Sequence, residues 1–310
     1  MVDANRESGF DRNPEIDPAG RGLVHSIGIH PIKSLAGLHP ERWLFGPDGP
    51  LLDRRWMLVD ENHRFLSLRE LPGLAAFHPS LPDEPSGGLP SFIEVRHEDE
   101  SIRIHPAESE SGGTARLWKA DRIVVDEGDE AAEWFSRRVD RTVRLVRHLP
   151  DLDPWTQPEP EADGATTGLA DGYPVLVLAG STMRDAVGDR WSRRRFRANI
   201  VVEGVAAGAE DLWASIRIGE VHLDLVKPCV RCVATTVDPD EAARTGTEPL
   251  ATLARTRTWN GKPVLGWNAI VRRPGVVRCG DAVEVVTARD RSPIDQAPNA
   301  AGRVPRRTDP

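Results

Sequence analysis

Only three of the 310 residues are cysteine. That is too few for a disulfide framework or for the four thiolates of an iron–sulfur cluster, so a reducing, cytoplasmic setting is the expectation. Basic charge is also in short supply: 40 Lys and Arg stand against 48 Asp and Glu, a net charge of −8 with a pI near 5.7. General nucleic-acid binding, which needs a basic surface against the phosphates, is thereby disfavoured. No run approaches the roughly twenty apolar residues of a membrane span. Residues 1–20 are polar and lack the apolar segment of a secretion signal. A Gly-rich fingerprint opening a βαβ unit is missing as well, so the chain shows no means of taking electrons from a nicotinamide. There is no internal repeat.

What the chain does contain is a succession of short apolar or alternating runs bounded by turn residues, the pattern of β-strands. In the first half they fall at 23–29, 56–60, 93–96, 102–105, 123–125 and 143–146. One helix is expected to interrupt them, in the segment holding Ala131, Ala132, Trp134, Phe135 and Val139. Asp126 or Asp129 would cap it, and Arg137 and Arg138 would suit its C-terminal dipole. The second half reads as strands at 173–178, 199–202, 217–226, 264–271 and 282–286, with a short turn over 211–216. Two short helices are expected there. Ser181 would cap one over 182–187, and Pro249 would open another with Leu250, Leu253 and Ala254 inward. The pattern implies a mainly β (α+β) chain of two β-rich lobes with a few short helices. Its expected divisions are a disordered tail at 1–20, a first lobe at 21–149, a proline-rich loop or linker at 150–168, a second lobe at 169–288 and a second disordered tail at 289–310.

Two of the three cysteines lie in one stretch, Val226-Lys227-Pro228-Cys229-Val230-Arg231-Cys232-Val233-Ala234-Thr235-Thr236-Val237-Asp238. Strands are expected on both sides, over 221–226 and 233–237, with the thiols on the turn between them. A tetrahedral zinc site would need two further Cys or His ligands, but Cys279 is alone and no paired histidines follow. A redox dithiol normally opens a helix, against which Pro239 and the β-branched run count. A thiolate ligand or nucleophile favoured by Arg231 and Lys227, and a buried structural cysteine, both remain open on the residues themselves.

Three further groupings stand out: Ile29-His30-Pro31-Ile32-Lys33-Ser34, Leu52-Asp53-Arg54-Arg55-Trp56, and the arginine-rich Arg193-Arg194-Arg195-Phe196-Arg197-Ala198-Asn199-Ile200. Each allows a plain reading, as a solvated lysine, a strand-start ion pair or surface charge. An arginine cluster in an acidic protein nonetheless suits an anion, because the planar guanidinium can hold two oxygens of a phosphate at once.

Together these stretches resemble the signatures of the MOSC-domain family, which includes bacterial MOSC reductases and the mitochondrial amidoxime-reducing components. The resemblance runs through most of residues 22–286. It implies an N-terminal MOSC-associated β-barrel-like lobe followed by a β-barrel MOSC domain, and a molybdenum cofactor. Cys232 would be the metal ligand. Lys33, Ser34, Arg54, Arg197, Asn199 and Arg231 would contact the pterin and its phosphate, and Asp171 would stand near the metal as a catalytic residue. His30 departs from the family motif, which has tyrosine there. The implied activity is reduction of small N-hydroxylated or N-oxide compounds by oxygen-atom transfer. Electrons would come from a separate reductase or from a ferredoxin-like or haem carrier. Two alternatives are a sulfur carrier using a cysteine persulfide and a non-catalytic cofactor carrier.

Overall fold

The computed structural model describes residues 22–82, 87–108, 112–154 and 163–294. The expected tail at 1–20 and most of the one at 289–310 lie outside these residues, as does the middle of the 150–168 loop. The chain is mainly β. Its largest sheet runs in the order Leu23–Ile27, Ile200–Glu203, Val175–Ala179, Lys262–Arg273, Val221–Val230, Trp213–Ile218 and Val283–Ala288. The two ends meet: Val24 N–H donates to Asp281 O (2.9 Å) and Val283 N–H to Gly22 O (2.8 Å), which closes the sheet into a barrel.

A four-stranded antiparallel sheet of Trp56–Asp60, Val143–His148, Ala120–Asp126 and Gly113–Leu117 forms the body of the other lobe. Helix Asp129–Val139 packs on it. A small sheet of His78–Ser80, Ile93–His97 and Glu100–Ile104 stands beside it. The lobes exchange strands: Leu23–Ile27 belongs to the barrel of the second half, and Gly275–Arg278, from the end of the chain, pairs with Arg42–Gly46 near its start. One continuous apolar core accordingly includes Ile27, Trp43, Trp56, Phe135, Val177 and Trp267. Burial of such side chains, about 1.5–3 kcal/mol each, is the main force holding the halves together.

Two glycines are required by this packing. A Cβ on Gly28 would lie 2.3 Å from Ala198 O. Gly266 lets the long strand Lys262–Arg273 bulge at φ +75°, with Val177 O 2.8 Å from where a Cβ would sit.

Several expectations need correction. The Thr235-Thr236 run is a 3₁₀ turn, Val233–Thr236, instead of a strand. Thr235 and Thr236 hydroxyls donate to the carbonyls of Cys232 and Val233, both at 2.8 Å, so local side-chain bonds override β propensity. The preceding strand continues through Pro228 to Val230. Ser181 lies inside helix Gly180–Val187 and does not cap it. Trp213–Ile218 is a strand, not a turn. Ala254 is exposed while Leu253 is buried. Residues 289–294 do not begin a loose tail: Arg289 stacks 4.2 Å over the Trp267 ring and its N–H donates to Leu212 O (2.7 Å). Among the described residues no helix is long and apolar enough to cross a membrane.

Candidate functional site

The strand exchange brings the sequence motifs to one cleft of about 190 Å³ between the lobes. It is lined by Lys33, Ser34, Arg54, Arg197, Asn199, Arg231 and Cys232, with Asp171 at its side. Every candidate site residue is therefore present in one place. The first lobe positions its share by backbone pairing. Lys33 N–H donates to Trp56 O (2.7 Å) and Arg54 N–H to His30 O (2.7 Å), so the loops at 30–34 and 52–56 are set side by side.

Arg54 and Arg197 form the floor. Both adopt left-handed backbone, φ +48° and +53°, and both guanidiniums are held by the chain. Arg54 Nη1 pairs with Asp53 and Nη2 donates to Arg197 O at 3.2 Å. Arg197 Nη1 donates to Leu35 O at 2.6 Å, and its buried Nη2 has no hydrogen-bond partner. Burial first, then the neighbouring Arg54, depresses the Arg197 pKa to about 9. Because a guanidinium keeps its proton in proteins, this depression expresses the cost of holding its charge out of water beside Arg54, a cost that Asp53 and Asp171 only partly offset.

Burial by itself would raise the Asp53 pKa, but Arg54 and His30 bring it down to about 2. His30 lies well below its ordinary range through burial and the charges of Arg197 and Arg54, so it is neutral at pH 7. Asn199 is a clamp between strands. Its Oδ1 accepts from Leu176 N–H (3.0 Å) and its Nδ2 donates to Gly28 O (3.0 Å), which fixes it beneath Arg54.

On the side wall, Lys33 Nζ donates to Asp171 Oδ1 (2.5 Å) and to Leu169 O (2.8 Å). Burial lowers the Lys33 pKa against the opposing pull of Asp171. The Asp171 side chain is 57% exposed, open to the cleft. Burial works to raise its pKa, and Lys33 and the Trp118 indole N–H overcome it and bring it to about 2. Asp171 is therefore an ionised acceptor at neutral pH. Ser34 Oγ donates to Leu66 O at 3.1 Å.

The thiol wall separates the two cysteines. Arg231 Nη1 donates to Cys229 Sγ at 3.0 Å and its Nη2 to Phe196 O at 2.7 Å. Cys232, at the start of the 3₁₀ turn, lines the cleft too. Arg193, Arg194 and Arg195 are not surface charge: Arg193 and Arg195 are buried, and the three pair with Glu203, Asp240 and Asp238. Asp238 thereby ties the cysteine loop to the arginine segment. Sequence reasoning missed Phe65 and Trp118, and gave no role to Arg69. The turn at Trp118 was not legible because its hairpin was not.

Among the described residues no group of three or more His, Cys, Asp or Glu could hold a metal ion. A metal bound here must bring its other ligands with it. A cofactor that supplies its own metal ligands and carries a phosphate fits this donor set: the Cys232 sulfur and two floor guanidiniums, one of which, Arg197, keeps an unpartnered nitrogen.

Comparison with known proteins gives the family of the chain. A model of the MOSC domain matches residues 169–284, and one of the MOSC N-terminal beta barrel domain matches residues 21–142. Mitochondrial amidoxime-reducing component 1 of Danio rerio is 32% identical over 286 residues, covering 86% of this chain and 85% of that protein. Its counterpart from Mus musculus is 31% identical, covering 84% and 82%. Molybdenum cofactor sulfurase of Danio rerio is 28% identical over 78% of this chain but only 31% of its own length.

Proposed function

Because the chain belongs to the MOSC-domain family and carries that family's N-terminal β-barrel domain, we propose that it is a molybdenum-cofactor oxidoreductase. Its substrates would be small N-hydroxylated or N-oxide compounds, and its electrons would come from a separate redox partner. The observation that carries the reading is Arg197, a buried cation in the same cleft as Cys232 whose guanidinium has an unpartnered nitrogen.

When bound, the cofactor supplies the oxygen-atom transfer and two-electron redox chemistry. The chain's own residues bind and orient. Arg54 and Arg197 would hold the phosphate through charge-assisted hydrogen bonds of about 1.5–3 kcal/mol each. Asn199 and Asp53 hold Arg54 at its angle. Lys33 adds positive charge at the wall, and Cys232 offers the protein's thiolate to the metal. Asp171, ionised well below neutral pH, serves as an acceptor that orients Lys33 and polar substrate hydrogens; it is not an acid.

Protein from a molybdenum-sufficient host should contain molybdenum and reduce benzamide oxime with reduced viologen dye, yet be inert with NADPH alone. Cys232→Ser should lose both metal and turnover, whereas Cys229→Ser should retain most of both. Metal-free wild-type protein, or ranks reversed between the two cysteines, would refute the assignment. The contact of Arg231 with Cys229 also suits a sulfur-carrier reading. That reading requires a mass gain of one sulfur atom on Cys229 or Cys232 in protein isolated without reductant.

A further inference from the structure

The floor of the cleft is charged, but its mouth carries an aromatic residue that phosphate and metal binding do not explain. Trp118 sits at the tip of the hairpin between Gly113–Leu117 and Ala120–Asp126. Its φ is +55°, left-handed backbone that a bulky side chain rarely adopts. A position so costly to a tryptophan is retained only where its ring is held by its surroundings.

Here the ring is held on three sides. Its indole N–H donates to Asp171 Oδ1 at 2.9 Å, reaching from the first lobe to a residue of the second. Phe65 meets it edge-on, with centroids 4.5 Å apart and planes at 71°. The Arg69 guanidinium lies 4.5 Å from the ring centroid. Yet 41% of Trp118 stays exposed, although packing alone would favour burying it. The oxygen that accepts the indole also accepts Lys33, so the polar edge of the ring is tied to the charged wall while part of the indole stays exposed in the lining of the cleft.

We propose that Trp118 is a rigid platform at the cleft mouth that selects planar, aromatic N-hydroxylated substrates over small aliphatic ones. This deepens, and rests on, the reductase reading above. An immobilised indole stacks a flat ring without the entropy loss of ordering a flexible side chain. A small aliphatic N-hydroxylated compound has the same reacting group but nothing to stack.

The test compares wild type, Trp118→Phe and Trp118→Ala, purified from a molybdenum-sufficient host and assayed for metal. Each is titrated calorimetrically with benzamide oxime and with acetamide oxime, without electron donor. Wild type should prefer the aromatic compound. The ratio of the two affinities should fall about five- to tenfold in Trp118→Ala and about twofold or less in Trp118→Phe, the range expected for a lost aromatic pair. An unchanged ratio in Trp118→Ala, no preference in wild type, or loss of metal in Trp118→Ala would each overturn the proposal, the last by placing the residue on the cofactor. The reductase reading is judged separately, by wild-type metal content and viologen-driven turnover. Its failure would leave the affinity ratios to decide on Trp118.

Discussion

Arg193, Arg194 and Arg195 each meet a carboxylate, those of Glu203, Asp240 and Asp238. Arg197, two residues further on, meets the carbonyl of Leu35 instead and keeps an unpartnered nitrogen. The first three are struts that pin the segment to the barrel and to the cysteine loop. The fourth is a buried cation with no carboxylate of its own: Asp53 and Asp171 act on it only from a distance and do not offset its burial, and it lines the cleft. A parallel contrast exists among the acids. Glu203 is bracketed by Arg184 at 2.8 Å and Arg193 at 2.7 Å. Glu210 has no exposure, accepts a Thr182 hydroxyl at 2.6 Å and leaves its other oxygen without a partner. Burial raises its pKa to about 7. A buried acid away from the cleft can take up a proton, whereas a buried arginine cannot give one up. Of the two groups, each with one unpartnered atom, only the arginine therefore stays charged and can take an external anion.

The sharpest way to break this contrast is Arg195→Ala. Removing one partner of a buried pair costs about 3–5 kcal/mol, and the 23% exposure of the Asp238 side chain places the expected loss near the lower end, about 3 kcal/mol. An unfolding free energy from denaturant titration lowered by less than a third of that would remove Arg195 from the struts. Arg197→Met should act in the opposite sense: stability of the cofactor-free protein holds or rises, while retention of the molybdenum cofactor weakens by about 2 kcal/mol, or thirtyfold. Loss of stability with full metal retention would make Arg197 another strut.

Glu210→Gln probes the acid side. Since the folded pKa is raised, the native state holds a proton that the unfolded chain has lost. The stability this contributes is complete below the unfolded pKa and is lost as pH rises through about 7. The variant should therefore match wild type at pH 4 and exceed it by up to about 3 kcal/mol at pH 9. Thermal melts with the same gap at both pH values would contradict the unpaired reading. The smallest effect, about 1 kcal/mol, is expected from Arg193→Ala, because Arg184 still holds Glu203; a loss as large as that of Arg195→Ala would show that the two arginines do not share their acid.

The floor of the cleft was legible in the sequence because each of its residues stands in a short motif beside a strand end. Lys33, Arg54 and Asn199 are fixed by backbone pairing of these motifs with distant strands and loops, at Trp56, His30 and Leu176. The mouth was not legible. Trp118 and Arg69 reach the site through a hairpin turn and a loop whose own residues carry no chemical pattern. The β-rich class followed from alternation along strands such as Val221–Val230 and Trp56–Asp60. Partner choice did not, since alternation states which face is buried and is silent on which strand lies alongside. The threonines at 235 and 236 misled for a different reason: their hydroxyls satisfy nearby carbonyls as well as their branched carbons suit a sheet.

The exchange of strands between lobes also has a consequence in time. Leu23–Ile27 finds its partner only when Ile200–Glu203 exists, and Arg42–Gly46 waits for Gly275–Arg278. At ribosomal speeds of about 5–20 residues per second, the early strands remain unpaired for on the order of tens of seconds. The barrel that carries Arg197 and Cys232 is therefore complete only after its last strand, Val283–Ala288, is made. On the cofactor reading proposed above, loading would follow that point, and chains arrested before residue 275 should not retain molybdenum while the released protein does.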